Sequence, residues 1–320
     1  MSRRGVFFGR SHGGATYLIM ALERIAVIGA GASGLACAAR LKQLTRDVVV
    51  FEKSRDIGGR LAARRAQGWR WNHGAPRADG MRTQCQSLAH HLVSNGSAYW
   101  ARDALVGMPD MREILRPLAV DMTVELGCAV DRVELVGGGE VTVAERAFDR
   151  VVVAVPAPQA IQILQRSEIA VPAALHGVAM LPRWTLILGL AAPCTSIGAI
   201  SDHVVASATL QSNPMQREGQ AWVVQATDRW SQAHVELPKS VAAERLIDHL
   251  WQRSEAPLPP MIHCVAHRWR YAQTQRPLGE PSVSCADRRV SLCGDWCLGP
   301  TAADACRSGT ILAKAIAADA

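Results

Sequence analysis

Lysine is almost missing from this sequence. Only Lys42, Lys53, Lys239 and Lys314 occur, so the net charge of +7 and the isoelectric point of about 9.1 rest on arginine. The arginines are spread along the chain without a basic block, which argues against a nucleic-acid-binding tail. A diffuse positive field suits small anionic ligands such as dinucleotides, although an arginine-rich genome would leave the same trace. No apolar run is long enough to span a bilayer, so no membrane anchor is expected. The cysteines, at 37, 85, 128, 194, 264, 285, 293, 297 and 306, include no C-x-x-C and no Cys/His set at zinc-finger spacing. No metal site is expected, and an odd count without a framework fits a reducing cytoplasm.

What is present begins at Arg24. Five apolar-leaning residues read as a buried strand and run into Gly29, Gly31 and Gly34 at the G-x-G-x-x-G spacing. A helix is expected over 33–44 and a second strand over 48–51, ending at Glu52. Gly29 allows the sharp turn, Gly31 lets backbone approach a pyrophosphate, and Gly34 lets helix and strand pack closely. Free N–H groups at the helix start, with Ser33 among them, then face the phosphates. Glu52, 23 positions after Gly29, is placed to accept both hydroxyls of an adenosine ribose. A 2′-phosphate would be repelled there, so FAD or NAD fits better than NADP. Gly58, Gly59 and Arg60 form a second glycine turn, with Arg60 read as a phosphate contact.

Further along, 67–75 reads as a short strand and turn, and 84–94 as helical. Asp110 is a helix N-cap for 111–119. Strands are expected at 123–126, 129–136 and 140–143, with a turn at Gly137-Gly138-Gly139. The run 148–155 is a buried strand entering a proline-capped helix, and is expected to close the cofactor sheet. Strands at 183–190, 203–209, 221–227 and 261–271, with helices at 157–165 and 239–253, suggest an antiparallel sheet carrying most of the tryptophans. Residues 289–293 form a strand before Gly294-Asp295-Trp296, and a helix follows over 304–317. The expected fold is α/β: a Rossmann-type domain with a parallel sheet from 20–83, 120–160 and 276–320, plus an α+β substrate domain from 84–119 and 161–275. Residues 1–19 are expected to be a disordered leader, with Met20 the better start.

The spacing Glu52-(five residues)-Gly58-Gly59-Arg60 resembles the extended fingerprint of FAD-dependent flavoproteins of the amine oxidase and renalase superfamily. Later segments strengthen the likeness to bacterial renalase-type oxidoreductases over about 24–316: 153–160, 221–227 with Trp230-Ser231, 266–272, and 294–299. This resemblance implies non-covalent FAD held by Gly29, Gly31, Ser33, Gly34, Glu52, Lys53, Gly59, Arg60, Gly74, Ala75, Val130, Asp295 and Trp296. It implies hydride transfer from isomeric dihydro-NAD(P), with O2 reoxidation to hydrogen peroxide. Trp222, Trp269 and Tyr271 are then candidates to stack on the substrate, Arg268 or Arg270 to balance its charge, and Gln225 and His267 to hydrogen-bond it. The chain departs from the family at Pro76-Arg77-Ala78-Asp79 and at Pro300–Asp304, where Asp304 would repel a pyrophosphate unless it caps the helix. Rival readings are a flavin amine oxidase, for which no suitably placed lysine exists; a carotenoid-type desaturase, which needs a longer substrate domain; an NAD-dependent dehydrogenase; and an FAD-binding protein with an altered, weakly active site.

Overall fold

The computed structural model describes residues 7–10, 16–19, 23–44, 46–211, 219–255 and 257–319. Within the expected leader, Phe7–Arg10 pairs antiparallel with Thr16–Ile19, where no structure was anticipated. The rest of that segment, with Met20, lies outside the described residues.

Arg24–Ile28 (β1) is buried from its second residue onward and leads into the glycine turn. Ala32–Gln43 (α1) follows, then Asp47–Glu52 (β2), parallel to β1. Thr123–Leu126 (β3) joins β2 in parallel. Arg150–Val153 (β4) pairs with β1 on its other side and runs through Pro156 into Ala157–Arg166 (α2). Proline suits that first helical turn, where its missing N–H would have no partner. The strand expected at 129–136 shortens to Glu134–Leu135, which the triglycine turn joins to Val141–Val143.

Ala179–Leu190 (β5), Val205–Gln211 (β6), Gln220–Ala226 (β7) and Met261–Arg276 (β8) form a separate antiparallel sheet, in the order β6-β7-β5-β8. Asp228–Ala233 (α3) and Lys239–Arg253 (α4) lie between β7 and β8 in the chain. One face of this sheet packs Trp184, Leu186 and Trp222 with Leu246 and Leu250 of α4. The other packs Ile187 and Val223 against Trp69 and Trp71. Such two-sided burial explains the near-continuous apolar runs of β5 and β7.

The chain then returns through Val283–Ser284 (β9), Val290–Leu292 (β10), Asp295–Leu298 (α5) and Ala302–Ala318 (α6). The first sheet has the order β9-β10-β4-β1-β2-β3, with only β9 antiparallel. Thus β4, expected to close the sheet, sits inside it, because β10 pairs with its free side. Helices α1 and α6 cross in close contact at Gly309, where a Cβ would stand 2.1 Å from the Ser33 carbonyl oxygen. Among the described residues no helix is long and apolar enough to cross a membrane.

Candidate dinucleotide and substrate site

A cavity of about 530 Å3 runs from the β1–α1 turn to the edge strand β8. A second space of about 250 Å3 adjoins it and shares Gly29, Glu52, Lys53, Val155 and Gln159. The larger space is of ligand-binding size, and the shared lining puts the smaller one at its side.

At its centre is the glycine turn. Gly29 has φ +107°, and a Cβ there would stand 2.7 Å from the Ala154 carbonyl oxygen. Gly34 lies behind the wall, where a Cβ would stand 1.9 Å from the Gly29 oxygen. Gly31 differs: it lines the cavity, and the nearest atom a Cβ would meet is Gly59 Cα, 4.0 Å away. Gly31 and Gly34 therefore have different jobs, one leaving room for a ligand and the other for the helix. The first N–H groups of α1 have no intrahelical partners, and no side chain caps them. Ser33 lines this part of the cavity.

Glu52 is buried, and its two carboxylate oxygens accept from Ala30 N–H and Ser54 N–H, each at 2.8 Å. The backbone thus fixes the acid at the junction of the two spaces. Lys53 stands beside it, and Val130 lines the smaller space with Cys128 and Ala129.

The second glycine turn faces the first, with Gly59 and Arg60 in the lining. Arg60 does not reach freely into the cavity. Its guanidinium forms a two-pronged ion pair with Asp295 and donates to the Ala272 carbonyl at 3.2 Å. Asp295, 3% exposed, also accepts from Thr274 Oγ1 at 2.6 Å. The pair joins the second glycine turn to the end of β10. Behind it, Asp110 accepts from Arg112 and Arg65, while Arg112 also pairs with Asp56 beside the turn. These arginines hold the Asp110 carboxyl well below the usual range, against the opposing effect of burial. Asp110 also caps its short helix, as expected, by accepting from Arg112 N–H.

The far end is a wall built on β8, whose outer edge is unpaired because β8 is the last strand of its sheet. Residues 267–272 all line the cavity, more than alternation allows. A bulge accounts for part of this, at 270–272: Arg183 pairs with Trp269 but Leu181 with Gln273, so three residues of β8 oppose Pro182 alone. Pro182 has no N–H to give the ladder, and the surplus residues swing toward the cavity. Trp269 Nε1 donates to the His73 carbonyl at 2.9 Å. The ring of Trp269 stacks on His73 at 5.3 Å and lies 4.4 Å from His267. Burial, then neighbouring His267 and Arg64, push His73 down to about 3. Burial, then Lys239 and Arg64, push His267 down to about 4. Both imidazoles are neutral at pH 7.

The sequence candidates are only partly assembled here. Gly29, Gly31, Ser33, Glu52, Lys53, Gly59, Arg60, Ala75, His267, Arg268, Trp269, Arg270, Tyr271 and Asp295 line the main cavity. Trp222 does not: it is 5% exposed and packs on the opposite face of its sheet, toward α4. Trp296 is fully buried and donates to the Val155 carbonyl, bracing the wall from behind. Gly74 is also behind it, and Gln225 holds its carbonyl by a 3.0 Å bond rather than meeting a ligand. Asp304, feared as a repelling charge, closes a capping box with Thr301. Its carboxylate accepts from Thr301 N–H at 3.1 Å, so the charge serves the start of α6. Sequence reasoning missed His73, Gln159 and Thr301 as lining residues. His73 could have been found, since it precedes Gly74-Ala75 in a segment already read as passing the cofactor; nothing local marks Gln159.

Comparison with known proteins bears on the fold. Residues 27–92 match the family model of the NAD(P)-binding Rossmann-like domain. A 4,4′-diapophytoene desaturase of Staphylococcus aureus (strain Newman) is 43% identical over 51 residues, 16% of this chain. The match spans only 10% of that enzyme's length. A solved structure assigned as a protoporphyrinogen oxidase, from Exiguobacterium sp. 255-15, superposes with TM-score 0.74 at 11% identity, over 94% of this chain and 100% of that one. Cyclohexylamine oxidase from Brevibacterium oxydans IH-35A gives 0.68 at 13% identity, over 93% and 99%. Putrescine oxidase bound to putrescine gives 0.62 at 14%, over 93% and 99%. The chain thus resembles NAD(P)-binding Rossmann-like domains over 27–92, within a fold like that of these solved oxidase structures.

Proposed function

We propose that this chain is an FAD-dependent oxidoreductase of the renalase type, an oxidase that takes a hydride from an isomeric dihydronicotinamide dinucleotide. The observation that carries this reading is the joined cavity. It begins at a fixed acid suited to a ribose, passes an open glycine cradle at a helix N-terminus, and ends at a wall of aromatic rings. Those three stations match, in order, the adenosine, pyrophosphate and ring ends of FAD, and a cradle with room at Gly31 fits its phosphates. Bound without a covalent link, FAD would supply the hydride acceptor, with O2 as the terminal acceptor and hydrogen peroxide as the product.

The residues of the chain bind and orient. The first-turn N–H groups of α1 hold the pyrophosphate, and Glu52 accepts from the ribose. Trp269 and Tyr271 offer faces on which a planar substrate lies against the flavin, where proximity does most of the work. Neutral His73 and His267 hydrogen-bond the substrate without adding charge. Arg268 and Arg270 are less available than the sequence suggested, because Arg270 holds a two-pronged ion pair with Glu236 and Arg268 donates to the Val235 carbonyl.

Amine oxidation is the second reading, favoured by the likeness to cyclohexylamine and putrescine oxidases. Against it stands the charge of the wall: Arg64 and Lys239 already disfavour protons on the histidines, and would disfavour an ammonium substrate. The test is the visible spectrum of the purified protein under anaerobic conditions. Bleaching by isomeric dihydro-NAD, with colour and peroxide returning in air, supports the first reading. Bleaching by an amine alone supports the second. A colourless protein that cannot take up FAD sinks both.

A further inference from the structure

We propose that Glu236 is an anionic latch on the substrate end of the cavity, one that occupies Arg270 until a phosphate-bearing substrate displaces it. The proposal rests on the reading of the cavity as a dinucleotide site, and adds to it a residue that sets which substrates are admitted. Arg268 and Arg270 both line the cavity, and one carboxylate engages both. Arg270 donates to the two Glu236 oxygens, at 2.5 and 2.9 Å. Arg268 stands 3.6 Å from the same carboxylate. A guanidinium fork takes a carboxylate or a phosphate by the same pair of parallel bonds, so Glu236 holds Arg270 as a substrate phosphate would.

The two arginines are held differently. Arg268 donates to the Val235 carbonyl at 2.6 Å and lies over the ring of buried Trp184, so it is anchored. For the Arg270 guanidinium, Glu236 is the only hydrogen-bond partner among the described residues. Arg270 is therefore the arm that can change hands. The turn that carries Glu236, between α3 and α4, is itself pinned. The His234 carbonyl accepts from Trp184 Nε1 at 3.0 Å and from Leu237 N–H at 3.1 Å, and Leu237 packs on the core beneath α4. The Glu236 side chain, in contrast, is 70% exposed. Release thus needs only a side-chain rotation into solvent, with the backbone left in place.

The consequence is a selection by charge. An exposed ion pair is cheap to open, so a ligand that brings its own anion to Arg270 replaces the lost partner at little cost. A ligand without an anion gains nothing there and leaves Glu236 in place. The affinity of an anionic ligand is reduced by the competing carboxylate, and removing that carboxylate restores it. A cationic ligand shows the opposite sign, because it loses a nearby negative charge.

The experiment is calorimetric titration of NAD+ into the full-length, FAD-loaded protein, for the parent, Glu236→Ala, Arg270→Gln and the double variant. Glu236→Ala should bind NAD+ about 2–5-fold more tightly, the equivalent of one exposed ion pair. In the Arg270→Gln background the same substitution should change little, because the latch has nothing to hold. Equal tightening in both backgrounds would reduce Glu236 to a distant negative charge and overturn the proposal. Weaker binding by Glu236→Ala would overturn it too, since the carboxylate would then be positioning Arg270 for the ligand. Anaerobic bleaching by isomeric dihydro-NAD, on the same samples, separates this proposal from the reading beneath it. The latch lowers the half-saturating concentration in Glu236→Ala and leaves the limiting rate unchanged. A parent that shows the NAD+ pattern without bleaching keeps the latch and loses the hydride-donor reading. A parent that bleaches, with a half-saturating concentration that Glu236→Ala does not move, keeps that reading and loses the latch.

Discussion

At the scale of single residues, two glycines three positions apart give opposite tests. A methyl at Gly34 would meet the Gly29 oxygen at 1.9 Å, so Gly34→Ala must push α1 off the strand turn. It should cost about 1–3 kcal/mol of stability, as overpacked sites do. A methyl at Gly31 meets nothing closer than 4.0 Å. Gly31→Ala should therefore melt at the parent temperature without cofactor, yet bind FAD poorly; calorimetry and flavin absorbance together check the pair. The two histidines of the wall make a pH prediction. In an unfolded chain each titrates near 6.5, but in the fold only near 3 and 4. Below pH 6.5 the unfolded chain binds protons that the native chain refuses, so stability falls as pH drops from about 6.5 toward 4 and is flat above. Melting temperatures measured from pH 8 to 5, for the parent and for His73→Gln, should show the slope and its reduction.

At the scale of elements, the bulge opposite Pro182 shapes the wall. Pro182→Val restores an N–H, allowing β5 and β8 to pair more evenly and drawing Tyr271 back. FAD absorbance should survive, while the substrate concentration that half-saturates flavin bleaching should rise; an unchanged value would mean the bulge is irrelevant to substrate. What was legible in the sequence follows the same scale. The strand, glycines, helix, second strand and Glu52 each carry a local signature, and all fell into place. The run 266–272 was recognisable too, because aromatic and cationic residues interrupt an apolar strand. Trp222 was misread for a physical reason: β7 is buried on both faces, so hydropathy does not say which side meets the ligand. Lining by consecutive residues at 270–272 was equally hidden, since a bulge breaks the period on which the reading relied. Asp304 could not be judged until Thr301 was seen bonding to it.

At the scale of the whole molecule, the cavity lies between two sheets that the chain visits in turn. Arg60 and Asp295 are 235 positions apart, and their ion pair ties the second glycine turn to the closing helices. Asp295→Ala would strand Arg60 against Ala272 without its counter-charge. We expect a loss of about 3–5 kcal/mol, the usual result of removing one partner from a buried pair. Denaturant unfolding should show that loss together with release of flavin; a stable, yellow variant would mean the pair is ornamental. The Glu52 carboxylate, by contrast, is held by neighbours within its own stretch, Ala30 and Ser54.

That contrast between near and distant partners has a consequence for biosynthesis. A ribosome delivers Glu52 and the two glycine turns well before the carboxylate that steadies Arg60. On the proposed reading, the nascent chain holds at most one end of a dinucleotide until residue 295 has emerged. On that reading, a cell short of FAD would accumulate chains whose glycine turns are formed but whose site is only half closed.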